Sequence, residues 1–374
     1  MPAALAELSW IAVSVPLAMW VGLLLVPWRP WSTRERIEVD LQFALAVDLS
    51  EVTVLIPARN EADVIGATLA GLQQQGNGLR VFVIDDQSSD ATAQHAAAYP
   101  DTRVISGQPL PEGWVGKLWA LEQGKAHVTT VLTLLLDADI QLQPGMLAAL
   151  LEKKQSEGRH FVSLMAYLRP MSVWDRLLLP VFVYYFKLLY PFALSNSRFR
   201  HVAAAAGGCI LVDTEVLQHI GAFASLRNAL IDDCTLARQV KRAGYRTWIG
   251  LSHGVVSLRP YGTLRAIHDM VARSAFTQLG YSAVLLLVVT VVFAFAYGVP
   301  LILLHSPHVW LLAWIAWAAM ALSYVPMLRY YRMSPLWALF LPLSAVIYLG
   351  MTWSSAIRYW RGVRSRWKER TYNT

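Results

Sequence analysis

Short apolar runs that end in acidic motifs recur through the first part of this 374-residue chain. VTVLI precedes the PARNE motif at 57–61, VFVI precedes DDQSSD at 85–90, and VLTLLL precedes DAD at 137–139. Such runs are typical of buried strands, and the carboxyl ends of parallel strands meet at one edge of a sheet. The sequence therefore predicts an open sheet with an acidic ligand site at that edge.

The acidic motifs also constrain the chemistry of the ligand. A fourth motif, IDD, follows at 231–233. Hard divalent cations take oxygen ligands and screen phosphate charge, so converging carboxylates suit a cation that bridges to a diphosphate. DAD is the strongest motif, because alternate acids at a strand end point the same way and would be costly to bury without a cation. We therefore expect an enzyme that acts on a nucleotide-activated substrate.

Strand-like and helix-like segments alternate between residue 51 and about residue 260. This alternation predicts an α/β domain with a mostly parallel sheet covered by helices. A segment of roughly 200 residues can bury an adequate core. The predicted strands are 52–56, 79–84, 131–136 and 160–166, and the predicted helices are about 61–75, 90–98 and 145–157.

Long charge-free segments flank this domain. Hydrophobic residues make up 56% of the chain and charged residues 15%, against roughly 25% charged residues in soluble domains. Residues 8–28 carry no charge and are long enough to span a membrane. A cleaved signal peptide is the alternative, but MPAALAE lacks the basic start of one. Residues 274–328 contain no Asp, Glu, Lys or Arg and predict two spans, at about 283–304 and 309–328.

These patterns divide the chain into five parts. Three arginines after the first span indicate that the domain faces the cytoplasm of a multi-pass inner-membrane protein. Three later spans would place the basic tail outside, so we predict that 335–353 is a re-entrant or interfacial hairpin bent at Pro342. The expected parts are a membrane anchor over 1–28, a linker over 29–50, a cytosolic catalytic domain over 51–275, membrane segments over 276–357 and a basic cytoplasmic tail over 358–374.

The basic balance of the chain has two explanations. The net charge is +7, which can indicate nucleic-acid binding. The basic residues, however, lie beside the apolar segments, and tryptophans at 28, 31, 310, 353, 360 and 367 flank the same segments. This arrangement is typical of the positive-inside rule, of attraction to anionic lipid and of an aromatic belt. We therefore expect a membrane partner and no nucleic acid.

Residues 174–194 interrupt the α/β alternation with the sequence WDRLLLPVFVYYFKLLYPFAL. The charge-free run within it, 177–186, is too short to cross a bilayer. Its tyrosines and Lys187 suit a helix that lies in the membrane interface. A buried core helix is the alternative to this interfacial helix.

Several motifs have a structural interpretation beside the functional one. Lys117 lies in GWVGKLWALEQG at a helix start, where a lysine suits phosphate, although a solvated lysine fits equally. Asp232 fits a helix cap and Asp233 a general base that takes a proton from a hydroxyl; capping is the structural alternative for this motif. Arg273 is a candidate diphosphate clamp or a snorkelling arginine.

Local structure accounts for other residues of the motifs. Pro57 lacks an N–H group and is expected to end strand pairing. Asn60 or the turn before it is expected to cap the helix after PARNE, and Asp90 is a candidate cap for the helix after DDQSSD. The remaining expectations are structural roles for His253 and His268, and reduced, partly buried thiols at Cys209 and Cys234.

In this order, the four motifs resemble an inverting family 2 glycosyltransferase with the GT-A fold, over about residues 51–275. The resemblance implies that a nucleotide-sugar is bound at this edge with Mg²⁺ or Mn²⁺ as the cofactor. It implies nucleoside contacts from Ala58, Glu61 and Asp86, a ribose contact from Asp137, and a metal ligand at Asp139.

The same resemblance assigns the acceptor side of the site. It makes Asp233 the catalytic base, with Asp232 beside it, and leaves Arg273 a phosphate-facing role. AAGGCILVDTEVLQHIGAF at 205–223 resembles the glycine-rich stretch ahead of the base, where Gly207 and Gly208 leave room for the acceptor.

Membrane-bound members with this architecture include ceramide glucosyltransferases and the hopanoid-biosynthesis-associated glycosyltransferases. GWVGKLWAL, LLLDADI, and RPYGTLRAI before RSAFTQLGY look most like the hopanoid-associated group. Processive polysaccharide synthases carry Gln-x-x-Arg-Trp near this point, whereas this chain has Met-Val-Ala-Arg-Ser at 270–274. The resemblance therefore implies transfer of a single sugar.

The expected reaction moves one sugar from a nucleotide-sugar, most simply a UDP-sugar, to a lipid hydroxyl in hopanoid biosynthesis. A polyprenyl-phosphate acceptor is one alternative, because a phosphate needs no strong base. A membrane scaffold or transporter with an inactive nucleotide domain is the other. Against it, the spans 283–304 and 309–328 lack the charges that mark transport sites.

Overall fold

A computed structural model of the protein describes residues 2–39, 47–227, 232–362, 366–367 and 370–371. The side chains of residues 2–6, 232, 366–367 and 370–371 are outside this description. The described chain divides into two compact units. The helical unit comprises Met1–Arg34, Pro170–Ala193 and Tyr261–Ser365, and the sheet unit comprises Glu35–Arg169, Leu194–Pro260 and Arg366–Thr374.

Helices and strands alternate along the sheet unit, while the helical unit contains only helices among its described residues. In chain order the elements are α1 (Pro2–Leu25), β1 (Val52–Ala58), α2 (Ile65–Gln73), β2 (Arg80–Asp85), α3 (Thr92–Ala97), β3 (Thr102–Ser106), α4 (Gly116–Lys125), β4 (Leu132–Leu136), β5 (Ile140–Leu142), α5 (Met146–Ser156), β6 (Phe161–Leu168), α6 (Val173–Leu189), α7 (Phe192–Asn196), β7 (Cys209–Asp213), α8 (Thr214–His219), α9 (Asp232–Arg242), β8 (Thr247–Ser257), α10 (Leu264–Ala272), α11 (Ala275–Gln278), α12 (Ala283–Phe293), α13 (Val299–Leu303), α14 (Trp310–Tyr330), α15 (Leu341–Trp360), β9 (Arg366–Trp367) and β10 (Arg370–Thr371).

Eight strands form one sheet in the order β3-β2-β1-β4-β7-β6-β8-β5. β1 pairs in parallel with β2 and β4, β2 with β3, and β6 with β8. β7 runs antiparallel to β4 and β6, and β5 antiparallel to β8. The predicted mostly parallel α/β sheet is therefore confirmed. Because β7 runs against its neighbours, its first residues lie at the edge where β4 ends.

Both faces of this sheet are covered at its centre, which explains why strands such as β1 and β4 are largely apolar. Successive strand residues point to opposite faces, so each strand contributes to two cores. One core packs against α2 and α5, and the other against α4, α8 and α9. Val54, Ile56, Leu134 and Leu136 belong to the first core, and Leu55 and Leu135 to the second.

Two local expectations around PARNE are corrected. Pro57 does not end β1: it stands opposite Ile84 of β2, and β1 continues to Ala58. The pairing of β1 with β4 does stop at Leu55. Pro57 lacks a backbone N–H donor, but it can still lie beside β2, the other neighbouring strand. The helix predicted from about residue 61 begins only at Ile65, so Asn60 is not its cap.

Four helices of the helical unit are long and apolar enough to cross a membrane. They are Glu7–Leu25, Ala283–Leu303, Trp310–Tyr330 and Pro335–Trp360. The first three confirm the predicted apolar spans in position. Of the basic tail predicted over 358–374, residues 363–365, 368–369 and 372–374 lie outside the described residues.

The hairpin predicted over 335–353 is wrong. A 3-10 turn at Pro335–Phe340 leads directly into α15, which continues to Trp360. Pro342 lies in the first turn of α15, where no backbone N–H is needed, so it does not bend the helix.

The segment predicted as an interfacial helix, 174–194, contains α6, which packs against α10, α14 and α15 within the helical unit. The hydroxyl groups of Tyr184 and Ser323 lie 2.7 Å apart, and Tyr348 donates to the carbonyl oxygen of Leu178 at 2.8 Å. Val173 and Leu189, at its two ends, are exposed. Placement of this helix in a membrane interface stays a prediction.

A side chain of α1 supports the irregular helix that follows α12. Ala294–Gly298 is π-helical, and Pro300 lacks the N–H group that would bond Ala296 in an α-helix. The indole nitrogen of Trp20 donates to the carbonyl oxygen of Ala296 at 2.7 Å. Trp20 thereby satisfies a backbone acceptor in apolar surroundings, where an unpaired carbonyl is costly.

Removing this donor should destabilise the helical unit. We expect Trp20→Phe to lower the free energy of unfolding by about 1 kcal/mol, because the Ala296 carbonyl loses its side-chain partner. Thermal unfolding of the detergent-purified protein measures this effect. Trp10→Phe is the matched control, since Trp10 lies on the same helix and is 51% exposed. Equal melting temperatures for the two variants would contradict this role.

Candidate active site

The first two acidic motifs lie side by side at the carboxyl edge of the sheet. Ala58, at the end of β1, stands opposite Asp85, at the end of β2. The next residue, Asp86, is fully buried and donates its backbone N–H to the carbonyl oxygen of Ala58 at 2.8 Å. The register of two parallel strands therefore brings together Ala58 and Asp86, which were predicted to contact a nucleoside.

Side-chain hydrogen bonds lock the two motif loops together. The Asn60 N–H donates to Ser88 Oγ at 3.0 Å, and Asn60 Oδ1 accepts from the Ser89 N–H at 2.8 Å. The Glu61 N–H donates to Thr92 Oγ1 at 2.8 Å. Asp90 accepts from the N–H groups of both Ala62 and Thr92, so it connects the loops and supports the start of α3. The two loops, residues 59–62 and 86–92, thus form one interlocked rim at this edge of the sheet.

Two turns of this rim need unusual backbone conformations. Asn60 has φ of 50° and Gln87 has φ of 56°, a region that few side chains other than Asn and Asp enter without cost. Arg59 donates to the carbonyl oxygens of Asp86, at 2.5 Å, and Gln87, at 2.9 Å. The arginine of PARNE therefore holds the DDQSSD turn in place.

A second group of side chains meets at the end of β4. Lys117 lies in the first turn of α4, as predicted, and its ammonium is 2.6 Å from Asp137 Oδ1. The same ammonium is 3.5 Å from the carbonyl oxygen of Gly207. The Gly207 N–H donates to Asp233 Oδ2 at 2.9 Å. Lys117, Asp137, Gly207 and Asp233 therefore form one connected constellation.

The glycines leave the space that this constellation occupies. A Cβ atom at Gly207 would lie 3.2 Å from Lys117 Nζ and 3.4 Å from Asp233 Oδ2. The carbonyl oxygen of Gly208 accepts from the Asp137 N–H at 3.0 Å. Any larger residue at 207 would thus press on the lysine and the carboxylate together. A small cavity here is lined by these groups and by apolar residues such as Leu118, Phe223 and Leu236.

Both ends of helix α9 contact the segment that contains the glycines. At its start, Asp233 binds Gly207, and Cys234 Sγ lies 3.5 Å from the carbonyl oxygen of Ala205. Near its end, the buried Lys241 donates to the carbonyl oxygen of Val202 at 2.7 Å. The position of Asp233 is therefore coupled to the backbone that carries Gly207.

Asp139 also has a cationic partner. Arg259, two residues beyond β8, places Nε 3.1 Å from Asp139 Oδ2. Burial, and then the charge of Asp137, raise the pKa of Asp139, while Arg259 and Lys117 act in the opposite direction. The negative charge of two carboxylates this close to each other favours a bound cation.

The carboxylates fit a divalent metal ion as far as their chemistry goes. Asp137 and Asp139 present hard oxygen donors at one strand end, which Mg²⁺ and Mn²⁺ prefer. No group of three or more His, Cys, Asp or Glu side chains able to hold a metal occurs in the part of the chain that the structure describes. A metal ion held here would therefore complete its coordination with phosphate and water oxygens, as Mg²⁺ commonly does.

Two predicted catalytic residues are not placed in this constellation. Arg273 follows α10 as its C-terminal cap, in the helical unit. Asp232 is the first residue of α9, but its side chain lies outside the described residues. Their predicted roles stay predictions.

The histidines and cysteines behave as structural residues. His253 pairs with Glu38 at 2.8 Å, and His268 lies 2.9 Å from Ser354 Oγ. Cys209 and Cys234 are free thiols and are buried. Burial raises the pKa of Cys209 to about 12, so this thiol stays protonated. Neither of these two cysteines is in a disulfide, and both are more deeply buried than the partial burial predicted.

The chain contains a segment that is similar to known proteins. Residues 53–221 match the family model described as glycosyl transferase family 2. This segment is therefore similar to a family 2 glycosyltransferase domain. It includes every motif of the site except the carboxylates of α9 and Arg259, which follow the matched segment.

Curated relatives match a shorter stretch. A 4,4'-diaponeurosporenoate glycosyltransferase of Staphylococcus aureus strain USA300 is 35% identical over 108 residues, and that of strain MRSA252 is 36% identical over the same length. The match covers 29% of this chain and 29% of each relative. This chain therefore spans under a third of the relatives it matches.

A solved structure of similar fold covers nearly the whole chain. A mannosyltransferase from Pyrobaculum calidifontis, in complex with GDP-Man and Mn²⁺, superposes with a TM-score of 0.51. It is 18% identical, and the match covers 95% of this chain and 97% of that one. The likeness shows the fold, which is the GT-A fold that the motifs predicted.

Sequence reasoning missed two residues of the site. PARNE contains Arg59 and RPYGTLRAI contains Arg259, but neither motif indicates a role for its arginine. Arg59 contacts residues 27 and 28 positions away, and Arg259 contacts Asp139 through the pairing of β5 with β8. No local pattern signals such contacts; the arginine beside each motif was the only available clue.

Loss of the Asn60 side chain should loosen the rim. We expect Asn60→Ala to lower the free energy of unfolding by about 2 kcal/mol, because it strains a positive φ and removes the acceptor of Ser89. Asn60→Gly should cost less, since glycine adopts this φ freely. Hydrogen exchange at the Ser89 amide should accelerate in both variants. Unchanged exchange would show that the two loops are not joined as described.

Proposed function

We propose that the protein is a membrane-bound inverting glycosyltransferase that moves one sugar from a nucleotide-sugar to a lipid hydroxyl. The observation that carries this proposal is the constellation of Lys117, Asp137, Gly207 and Asp233 at the carboxyl edge of the sheet. It brings a carboxylate, a cation and a glycine backbone together, which is the arrangement that a general base at this edge would need. The family 2 domain around it supports the same reaction class.

Donor binding would use the interlocked rim and the end of β4. We propose that Ala58, Glu61 and Asp86 contact the nucleoside, and that Asp137 contacts the ribose. The ammonium of Lys117, at the start of α4, would neutralise phosphate charge together with the N–H groups of that helix terminus. Asp139, with Asp137, would hold Mg²⁺ or Mn²⁺; the metal, when bound, stabilises the negative charge of the leaving diphosphate.

Asp233 would act as the general base. One of its oxygens accepts from Gly207 and the other from the Cys234 N–H at 2.7 Å, which fixes the orientation of the carboxylate. A carboxylate oxygen has two lone pairs, so an oxygen that already accepts one hydrogen bond could still take the proton of the acceptor hydroxyl. As the proton moves to Asp233, the acceptor oxygen would attack the anomeric carbon and the bond to the diphosphate would break. One displacement inverts the configuration at that carbon.

The acceptor is proposed to be a lipid. Four helices are apolar enough to cross a membrane, which supports membrane association of the domain. The curated relatives are named for glycosyl transfer to 4,4'-diaponeurosporenoate, a lipid-like acceptor. The hopanoid-associated group is proposed from the motif resemblance alone. An inner-membrane location with the sheet unit in the cytoplasm follows from the arginines after the first span.

Label transfer tests this proposal directly. Detergent-purified protein and Mn²⁺ are incubated with radiolabelled UDP- and GDP-sugars and with total lipid from a hopanoid-producing bacterium. We expect label from one donor in a hopanoid-sized lipid. Label in another lipid would contradict the hopanoid role. Absence of label from all lipids, despite intact nucleotide binding, would contradict the lipid acceptor.

Two isosteric variants test the assigned roles. We expect Asp233→Asn and Asp139→Asn each to lower turnover on the order of 10²-fold or more, because each removes charge that acts in the transition state. Asp101→Asn is the matched control, since Asp101 is exposed and lies outside the site. Near-normal turnover of Asp139→Asn would contradict the metal site. Full activity of Asp233→Asn would contradict the base and favour a polyprenyl-phosphate acceptor.

A further inference from the structure

Each carboxylate of the DAD motif has a cation of its own. Asp137 is paired with Lys117 of α4 at 2.6 Å, and Asp139 with Arg259 at 3.1 Å. The two cations come from different elements and approach from different parts of the chain. Lys117 is placed by a helix start that suits phosphate, whereas the position of Arg259 has no such explanation. Its pairing with the carboxylate assigned to the metal therefore needs its own account.

The backbone fixes Arg259 beside Asp139 whatever its side chain does. The Leu258 N–H donates to the carbonyl oxygen of Asp139 at 2.8 Å, and Ile140 stands opposite Ser257 in the pairing of β5 with β8. The side chain of Arg259 is 34% exposed, against 14% for that of Asp139. The guanidinium is thus the more open partner of a buried carboxylate.

A guanidinium at this place competes with a metal ion. Arg259 Nε and a bound cation need the same carboxylate, Asp139, and two cations close to each other repel. The planar guanidinium also matches phosphate oxygens, with several N–H donors in a fixed plane. Because the backbone beside Arg259 is held by Asp139, a change of partner would come from rotation of the side chain.

We infer that Arg259 is a positioning residue with two partners. It neutralises Asp139 when no metal is bound, and it turns to the donor diphosphate when metal and nucleotide are bound together. This inference rests on the donor and metal of the proposed function. Its consequence is a difference in sign: Arg259 opposes binding of the metal alone and favours binding of the nucleotide with the metal.

Two titrations on the full-length protein in detergent separate these effects. In the first, Mn²⁺ alone is titrated and free Mn²⁺ is followed by electron paramagnetic resonance. We expect Arg259→Gln to bind Mn²⁺ about threefold to tenfold more tightly, because the competing charge is gone. In the second, UDP and GDP are titrated at saturating Mn²⁺. We expect the preferred nucleotide to bind about threefold to tenfold more weakly.

Two further variants sharpen the test. Arg103→Gln removes one exposed arginine from β3, the outermost strand on the side of the sheet away from β5, and should change neither affinity. Arg259→Lys keeps the charge, so its affinities for Mn²⁺ and for the nucleotide should both lie between those of the unchanged protein and those of Arg259→Gln. A residue that merely supports the fold would weaken both kinds of binding, or change neither, when replaced.

The outcomes distinguish this inference from the proposed function. If Asp139→Asn abolishes Mn²⁺ binding but Arg259→Gln does not tighten it, the competition is overturned while the metal site stands. If Asp139→Asn leaves Mn²⁺ binding unchanged, the metal assignment fails and the inference fails with it. Tighter Mn²⁺ binding together with weaker nucleotide binding in Arg259→Gln supports both.

Discussion

Two carboxylates lie together at the end of one buried strand, and the arrangement of the sheet unit around them depends on offsetting the electrostatic cost of placing them there. Asp137 and Asp139 follow β4, the most apolar strand, and side by side they repel each other. Lys117 and Arg259 offset this repulsion. To supply those cations, the start of α4 and the end of β8 must both reach the end of β4. The strand order places β5, which follows DAD directly, beside β8, and so brings Arg259 to Asp139.

The reversed strand β7 provides the other half of the site. Because β7 is antiparallel to β4, its start lies at the edge where β4 ends, with Cys209 opposite Leu136. Gly207 and Gly208 immediately precede it and contact Asp233 and Asp137 through backbone groups. A parallel strand would have placed these glycines at the far edge. The antiparallel insertion is therefore what brings the Asp233 carboxylate, Lys117 and the glycine backbone together.

The parts of this arrangement that sequence could predict are those with local causes. The ends of β1, β2 and β4 were predictable because apolar runs stop at acidic motifs, and the start of α4 because glycines flank Lys117. The predictions for Pro57 and Pro342 are wrong for the same physical reason. A proline removes one donor, so its effect depends on whether that donor was needed: Pro57 loses one strand neighbour and keeps the other, and Pro342 lies where a helix needs none.

The remaining features depend on contacts between distant segments. Arg259 lies 120 positions after Asp139 in the sequence, yet the two side chains are paired. Lys241, near the end of α9, donates to the carbonyl oxygen of Val202, which is 39 positions away. Trp20 donates to a carbonyl oxygen 276 positions away in the helical unit. No spacing rule links such residues, because strand order and helix packing decide which of them meet.

The central claim is that a hydroxyl activated by Asp233 displaces the diphosphate in a single step at this edge. The configuration of the new glycosidic bond measures it most directly. With the donor that the protein accepts, in its α-linked form, proton NMR of the isolated product should show a β-linked sugar. An α-linked product would require two displacements or a different attacking face, and it would contradict the role given to Asp233.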